Sequence, residues 1–334
     1  LMHMADALVS AAVGGTMYVA SAGAAAYSIK KVDLKENAKM IPAMGVMGAF
    51  VFATQMINFT IPGTGSSGHL CGGMLLSAVL GPFAGFLTMI GVLLVQCLLF
   101  ADGGILALGC NVWNMAFYGC FLGSMLIWRP MMKDKVSKGR IVAASILGCV
   151  LTLQLGAFSV VLETTASGIS ELPFAVFVAT MQPIHLAIGT VEGLITAAVL
   201  CFIHEARPQM LWSTPLSKDE EAGKLSAKTT IIVLLVCAIF IAGGLSYAAS
   251  SNPDGLEWSI EKLTGSTELE YVDGVHETTG GIQEATALLP DYGFANSDSA
   301  VGGGFSGVVG SVVVLALASG VGLLKGKVRN KIES

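Results

Sequence analysis

Phe83-Ala-Gly-Phe-Leu-Thr-Met-Ile-Gly-Val-Leu-Leu-Val-Gln-Cys-Leu-Leu-Phe-Ala101 runs for nineteen residues without a charge. A helix needs about 20 residues, rising 1.5 Å each, to cross the hydrocarbon of a bilayer. Apolar runs of the same kind recur at 7–29, 40–57, 70–81, 105–127, 141–162, 184–203, 229–249 and 306–324. Of the 334 residues, 54% are hydrophobic and 12% charged, where a soluble domain carries roughly a quarter charged. The mean hydropathy is +0.73. The chain therefore reads as an all-α polytopic membrane protein with about nine transmembrane helices in a lipid bilayer, and no nucleic-acid partner is expected. Run 70–81 is short and only Gly81-Pro82 separates it from 83–101, so the two form a candidate re-entrant hairpin. Counting both or neither leaves the topology unchanged.

Lysine and arginine collect on the cytoplasmic side of membrane proteins. Here Lys30, Lys31, Lys35 and Lys39 follow the first run, and Arg129, Lys133, Lys135, Lys138 and Arg140 follow the fifth. Arg207, Lys218, Lys224 and Lys228 follow the seventh, and Lys325, Lys327, Arg329 and Lys331 the last. All four clusters fall on one side when nine spans are counted. The N-terminus is then expected outside, with loops 58–69, 102–104, 164–183 and 250–305. The first run has no basic stretch before it, and Lys30-Lys31 would hold its far end inside, so it is expected to be a retained span rather than a cleaved signal. Small residues at Gly14, Gly15, Ala20 and 22–26 suit close helix packing, within the chain or against a membrane partner. Seven cysteines, an odd number lying almost wholly within apolar runs, argue against a disulfide framework.

Two histidines share the expected outer face. His3 lies in Leu1-Met2-His3-Met4-Ala5-Asp6, and His69 closes Ile61-Pro-Gly-Thr-Gly-Ser-Ser-Gly-His69. A neutral imidazole suits Ni, Cu, Zn and Co. Were Met2 the terminus, its amine with the His3 amide and imidazole would give three in-plane nitrogens, leaving a fourth place for His69. Square-planar nitrogen ligation points to Ni(II) or Cu(II). Gly63, Gly65 and Gly68 allow the tight backbone that such an approach needs, and Thr64, Ser66 and Ser67 are candidates to orient the ligands. Cys71 could add a soft ligand, although ordinary packing is the stronger expectation.

These residues carry a resemblance. Met2-His3-Met4-Ala5-Asp6 resembles the Met-His-x-x-Asp start of the substrate-binding membrane component of nickel and cobalt energy-coupling-factor (ECF) transporters. Asn58-Phe-Thr-Ile-Pro-Gly-Thr-Gly-Ser-Ser-Gly-His69-Leu-Cys-Gly-Gly73 resembles their second signature, and Gln182-Pro-Ile-His185-Leu-Ala-Ile-Gly-Thr-Val-Glu192-Gly-Leu-Ile-Thr196 a third. Pro253-Asp-Gly-Leu-Glu257-Trp258 is similar to the signature of the small auxiliary component, fused here as in the nickel branch. The resemblance implies a metal-binding membrane component at 1–210, a cytoplasmic linker at 211–228, and a fused auxiliary component at 229–334. About seven helices would fall in the first and two in the last, with the acidic outer loop 250–305 between those two.

The function so implied is high-affinity capture and uptake of Ni(II), or alternatively Co(II), through Met2, His3 and His69. The site would face outside a cell inner (cytoplasmic) membrane. Leu1 departs from the family pattern: with it in front, Leu1-Met2-His3 reads as an X-X-His chelator able to fill four planar positions by itself. No cofactor is expected, and the metal is cargo. No G-x-x-x-x-G-K-[ST] phosphate loop occurs, since Gly65-Ser-Ser-Gly68 runs into His69 without a lysine. The chain is thus not expected to be an enzyme. The resemblance implies a transmembrane coupling protein and cytoplasmic ATPase subunits as partners.

His185 and Glu192, two turns apart, would either line a polar interior or form a hydrogen-bonded structural pair, the latter slightly favoured. His204-Glu205 lacks the second histidine of a zinc protease, because Pro208 stands there. In 250–305 one base, Lys262, faces ten acids. That charge would enrich cations within about 8 Å of the mouth, or else simply solvate an irregular segment. Glu268, Glu270, Asp273, His276 and Glu277 are at best a weak metal cluster. A secondary metal transporter would show paired midplane acids and inverted repeats, and a membrane metalloenzyme an open metal position beside a general base. Only Glu192 is clearly central and no internal repeat is visible.

Overall fold

The computed structural model describes residues 3–32, 40–215, 223–294 and 301–332, with side chains to residue 320. Leu1, Met2, Lys35, Lys39 and Lys218 lie outside the described residues. The chain is helical almost throughout: α1 (Ala11–Lys31), α2 (Met40–Gln55), α3 (Gly73–Phe100), α4 (Leu108–Met132), α5 (Lys138–Ser167), α6 (Phe174–Ala206), α7 (Ala227–Gly243), α8 (Gly255–Thr264), α9 (Gly274–Thr286) and α10 (Val301–Ile332). One antiparallel hairpin, β1 (Phe59–Ile61) with β2 (Ser66–Gly68), interrupts them. Among the described residues five helices, α3 to α6 and α10, are long and apolar enough to cross a membrane, and α2 and α7 are shorter apolar helices. This is a multi-pass membrane protein.

Helix α3 holds the candidate hairpin. At Gly81 the backbone leaves the helical region (φ 78°, ψ 167°). A Cβ on Gly85 would lie 3.0 Å from the Ser77 nitrogen, a contact impossible along a straight helix, where eight residues separate atoms by about 12 Å. The chain folds back on itself at Gly81-Pro82. The first arm, 73–80, rises about 12 Å, well short of the roughly 30 Å of hydrocarbon. It starts near His69 and turns against Trp212, whose backbone N–H donates to Ala78 O at 2.8 Å.

Glycine lets backbones meet around this arm. A Cβ on Gly119 would sit 2.9 Å from Gly73 Cα, with backbone atoms on both sides. Neither chain has a rotamer with which to yield. Gly119→Ala is expected to cost about 1–3 kcal/mol by overpacking, seen as a lower thermal midpoint in detergent. In α1, Gly14 abuts Leu106, and Ser21 Oγ donates to Gly109 O at 2.8 Å. That face packs within the chain, while Gly15 and Gly23 of the same helix meet nothing within 4 Å.

The fused part docks on α2. A Cβ on Gly45 would lie 3.0 Å from Leu315 O, and one on Gly48 would lie 3.0 Å from Val314 Cγ1. Helix α10 therefore lies against the glycine face of α2, with α7 beside both. The two ends of the bundle differ in charge. Lys30, Lys31, Lys133, Lys135, Lys138 and Arg140 gather at one, while His3, His69 and Asp102 lie at the other. Segment 250–294, with two helices, covers the histidine end. It is folded rather than irregular.

Candidate metal site

The N-terminal segment is pinned one residue beyond His3. Met4 is fully buried, its N–H donates to Asn111 Oδ1 at 2.7 Å, and its carbonyl accepts from Asn111 Nδ2 at 3.1 Å and Gly104 N at 2.9 Å. Ala107 N–H donates to Asp6 Oδ1 at 3.0 Å. These bonds fix the chain on both sides of the loop joining α3 to α4. His3 is thereby carried to the mouth of the α2 and α3 helix ends.

His69 arrives from the opposite side. The β1–β2 turn places Gly63 and Gly65 at φ 76° and 78°, conformations that residues with a Cβ rarely adopt. Gly68 follows with no room for a side chain, since a Cβ would stand 2.7 Å from Ile188 Cγ1. The two imidazoles, 66 positions apart in the chain, stack with centroids 5.7 Å apart and planes at 22°. His69 Nδ1 donates to its neighbour Leu70 O at 3.0 Å, which leaves Nε2 as the acceptor nitrogen. Burial, reinforced by His3, holds His69 well below the usual imidazole range. A neutral ring is the ligand form.

Around His3 lies a polar cage that the sequence reading missed. Its Nε2 meets Gln96 Oε1 at 3.2 Å, and its Nδ1 meets Asp102 Oδ1 at 3.1 Å. Gln96 Nε2 donates to Gln55 Oε1 at 2.9 Å, and Gln55 Nε2 to Cys71 O at 2.8 Å. Tyr292 of the fused part donates its hydroxyl to Asp102 Oδ2. Two glutamines buried at 3% and 0% exposure inside apolar runs were the available signal, because polar groups at membrane depth default to a functional role. A cavity of about 560 Å³ opens onto this cage, lined among others by His3, His69, Gln55, Asp102, Glu257 and Asp291.

The other expected residues do different work. Among the described residues Thr64, Ser66 and Ser67 make no hydrogen bond to either imidazole and instead hold the loop itself. Thr64 Oγ1 closes its own turn on Ile61 O at 2.8 Å, and Ser67 Oγ donates to Asn252 O at 2.8 Å. Ser67 N–H donates to Pro253 O at 2.8 Å, and Trp258 Nε1 to Thr64 O at 3.0 Å. The Pro253–Trp258 motif thus clasps the His69 loop. Its Asp254 and Glu257 form a reciprocal cap at the start of α8, and Gly255 leaves a Cβ only 2.9 Å from Ile188 and 3.0 Å from His185. Cys71 Sγ is taken up by Met115 O at 3.1 Å, a packing role. His185 and Glu192 are buried but do not pair with each other. His185 Nδ1 donates to Met181 O at 2.7 Å, and Glu192 Oε1 accepts from Gly72 N at 2.9 Å. Among the described residues no three His, Cys, Asp or Glu side chains converge as a metal cluster, and Glu268, Glu270, Asp273, His276 and Glu277 form none.

His276 instead ties α9 to the N-terminal segment. Its Nδ1 faces Asp273 Oδ1 at 2.7 Å, while its Nε2 faces the carbonyls of Asp6 and Val9, each at 3.1 Å. Burial alone would lower its pKa, but Asp273 and the two carbonyls outweigh it and hold the value above the usual 6.5. With acceptors at both nitrogens, the cation is the form that satisfies all of them. A group raised on folding contributes stability that is complete below 6.5 and lost as pH rises through the raised value. Hydrogen exchange of residues 5–9 should accordingly speed up across that window in the native chain, beyond the intrinsic pH dependence, and lose this step in His276→Ala.

With this geometry in view, comparison with known proteins is decisive. Residues 3–210 match the family described as the cobalt uptake substrate-specific transmembrane region. The chain belongs to this family. Residues 228–327 match the PDGLE domain, so the auxiliary part is fused behind the binding component. An Archaeoglobus fulgidus chain assigned as a fused nickel transport protein is 34% identical over 95% of this chain and 96% of its own length. The fused nickel transport protein of Rhodobacter capsulatus is 26% identical over 97% of both chains. Among solved structures, a truncated transition metal transporter superposes with a TM-score of 0.53 at 30% identity, covering 60% of this chain and 98% of that one. The family's transmembrane metal-uptake role fits a cage of stacked histidines at one end of an apolar bundle.

Proposed function

We propose that this chain captures Ni(II), with Co(II) as the second candidate, and passes it inward as the substrate-binding component of an ATP-driven ECF importer. The observation that carries this reading is the convergence of His3 and His69 with rings 5.7 Å apart. Two imidazoles completed by backbone nitrogens make a planar, nitrogen-rich set, which suits Ni(II) better than the tetrahedral or oxygen-rich preferences of Zn(II) or Mg(II). Met2 would supply the remaining nitrogen beside the His3 amide. Relatives of nearly the same length that are named for nickel support nickel. The cobalt description of the family keeps Co(II) second.

In this reading the histidine end faces outward from a cytoplasmic membrane and the basic end faces the cytoplasm, as the distribution of Lys and Arg favours. A transmembrane coupling protein and cytoplasmic ATPase subunits supply the work. The test is uptake of radioactive Ni(II) into vesicles holding the chain with these partners. Uptake should require ATP and both kinds of partner. Uptake driven by an ion gradient through this chain alone would establish a secondary transporter instead.

A further inference from the structure

The fused part reaches into the His3 cage with one side chain, and it does so from strained backbone. In the turn Pro290–Tyr292, Asp291 (φ 49°) and Tyr292 (φ 57°) both lie in the left-handed region. Consecutive non-glycine residues stay there only when their surroundings hold them. The holding contacts converge on the end of α3, the loop that follows it and the facing side of α2. Leu289 N–H donates to Leu99 O at 3.1 Å, and Gln283 Nε2 donates to Cys97 O at 3.0 Å and to Gly103 O at 2.8 Å. The Tyr292 ring stacks on Phe100 at 4.7 Å and 18°, with Phe52 at 6.3 Å. What the turn delivers is the phenol on Asp102 Oδ2, while Asp102 Oδ1 faces His3 Nδ1 at 3.1 Å. Burial and the adjacent Asp102 carboxylate push Tyr292 well above the usual phenol range, so it remains a donor.

Chelate geometry says which nitrogen this matters to. The His3 amide nitrogen and Nδ1 can close a six-membered ring on one ion, whereas Nε2 lies across the imidazole and cannot. This holds whether Met2 or Leu1 supplies the amine. Asp102 therefore occupies the nitrogen that a chelated ion requires.

We propose that Tyr292 is a positioning residue through which the fused part, by way of Asp102, withholds His3 Nδ1 and so sets how fast the ion is captured. The inference rests on the proposed Ni(II) site. Capture must break the Asp102–His3 contact, and Tyr292 makes Asp102 harder to move by engaging its second oxygen. The Asp102 backbone is anchored by its N–H to Gln96 O at 3.0 Å, while Gly103 O accepts from Gln283 and Gly104 N–H donates to Met4 O, so the side chain of Asp102 is what must swing away.

The test is stopped-flow binding of aqueous Ni(II) to the full chain, comparing the native protein with Tyr292→Phe, Asp102→Asn, the double variant and His69→Ala. Tyr292→Phe keeps the ring on Phe100 and should lower the thermal midpoint by no more than the loss of one hydrogen bond while raising the association rate roughly tenfold, the scale of one hydrogen bond to a charged group. Asp102→Asn should raise it at least as much, and adding Tyr292→Phe to it should change little more, because the phenol acts only through Asp102. A slower or unchanged rate in Tyr292→Phe, or additive effects in the double variant, overturns the inference. His69→Ala separates the two claims. If the native chain binds Ni(II) independently of His69, the site itself fails and the inference with it. If binding needs His69 but the Tyr292 and Asp102 variants do not couple, the inference alone fails.

Discussion

Replacing His69 by alanine should reduce Ni(II) uptake to the level of vesicles lacking the protein, while leaving the thermal midpoint almost unchanged. The asymmetry follows from how little the ring does for the fold. Among the described residues its ring hydrogen-bonds to the carbonyl of the next residue, Leu70, and stacks with His3. No hydrogen bond from the His69 side chain ties two helices together among the described residues. The loop that carries it is held by other atoms, through Ser67 to Pro253 and Asn252 and through Thr64 to Trp258. His3→Ala should abolish uptake as well, but with a measurable loss of stability. Its ring bridges Gln96 and Asp102, and both would be left without that partner in a buried cage. Measuring uptake and melting together distinguishes a ligand from a structural histidine.

Gly72→Ala is the second large expectation, and it should damage both fold and site. Gly72 has φ 84°, and a Cβ there would stand 2.4 Å from Val51 Cγ1. Left-handed backbone costs a residue with a side chain about 1–2 kcal/mol, and overpacking a filled interior costs about 1–3 kcal/mol more. The residue is also where loop and cage meet. Its N–H donates to Glu192, and the neighbouring Cys71 carbonyl accepts from Gln55, the end of the Gln55–Gln96–His3 chain. A shift at Gly72 therefore travels to His3. The expected result is a clearly lower thermal midpoint in detergent and weaker Ni(II) binding in whatever fraction remains folded. An unaltered melting curve would mean that Val51 yields and that the loop is not held as described.

Much of this was written in the chain because hydrophobic runs and glycines act locally. The apolar runs became helices, and the Gly81-Pro82 break became the turn of a hairpin because only glycine accepts φ 78° there at no steric cost. The meeting of His3 and His69 was legible from their motifs. The cage was not. Gln55, Gln96 and Asp102 come from two helix ends and a loop, and only the packing of α2 against α3 gives them a common neighbour. Tyr292 stood in an acidic segment open to a solvated reading, yet its ring lies on Phe100 at the membrane end of α3. Thr64, Ser66 and Ser67 sat beside a candidate ligand and were assigned to it by proximity. Their hydrogen bonds instead close the turn or run to the fused part, whose position in space no spacing in the sequence discloses. The same holds for His276, whose partners Asp6 and Val9 lie at the other end of the chain.

The most direct test of the account is the absorption spectrum of Ni(II) on purified chain of verified N-terminal residue, in the native form and as His3→Ala and His69→Ala. A shared site predicts a square-planar Ni(II) band in the native protein that disappears in both variants. A band that survives in His69→Ala and vanishes only in His3→Ala would mean that the N-terminal segment chelates alone. A band retained in both would contradict the metal site.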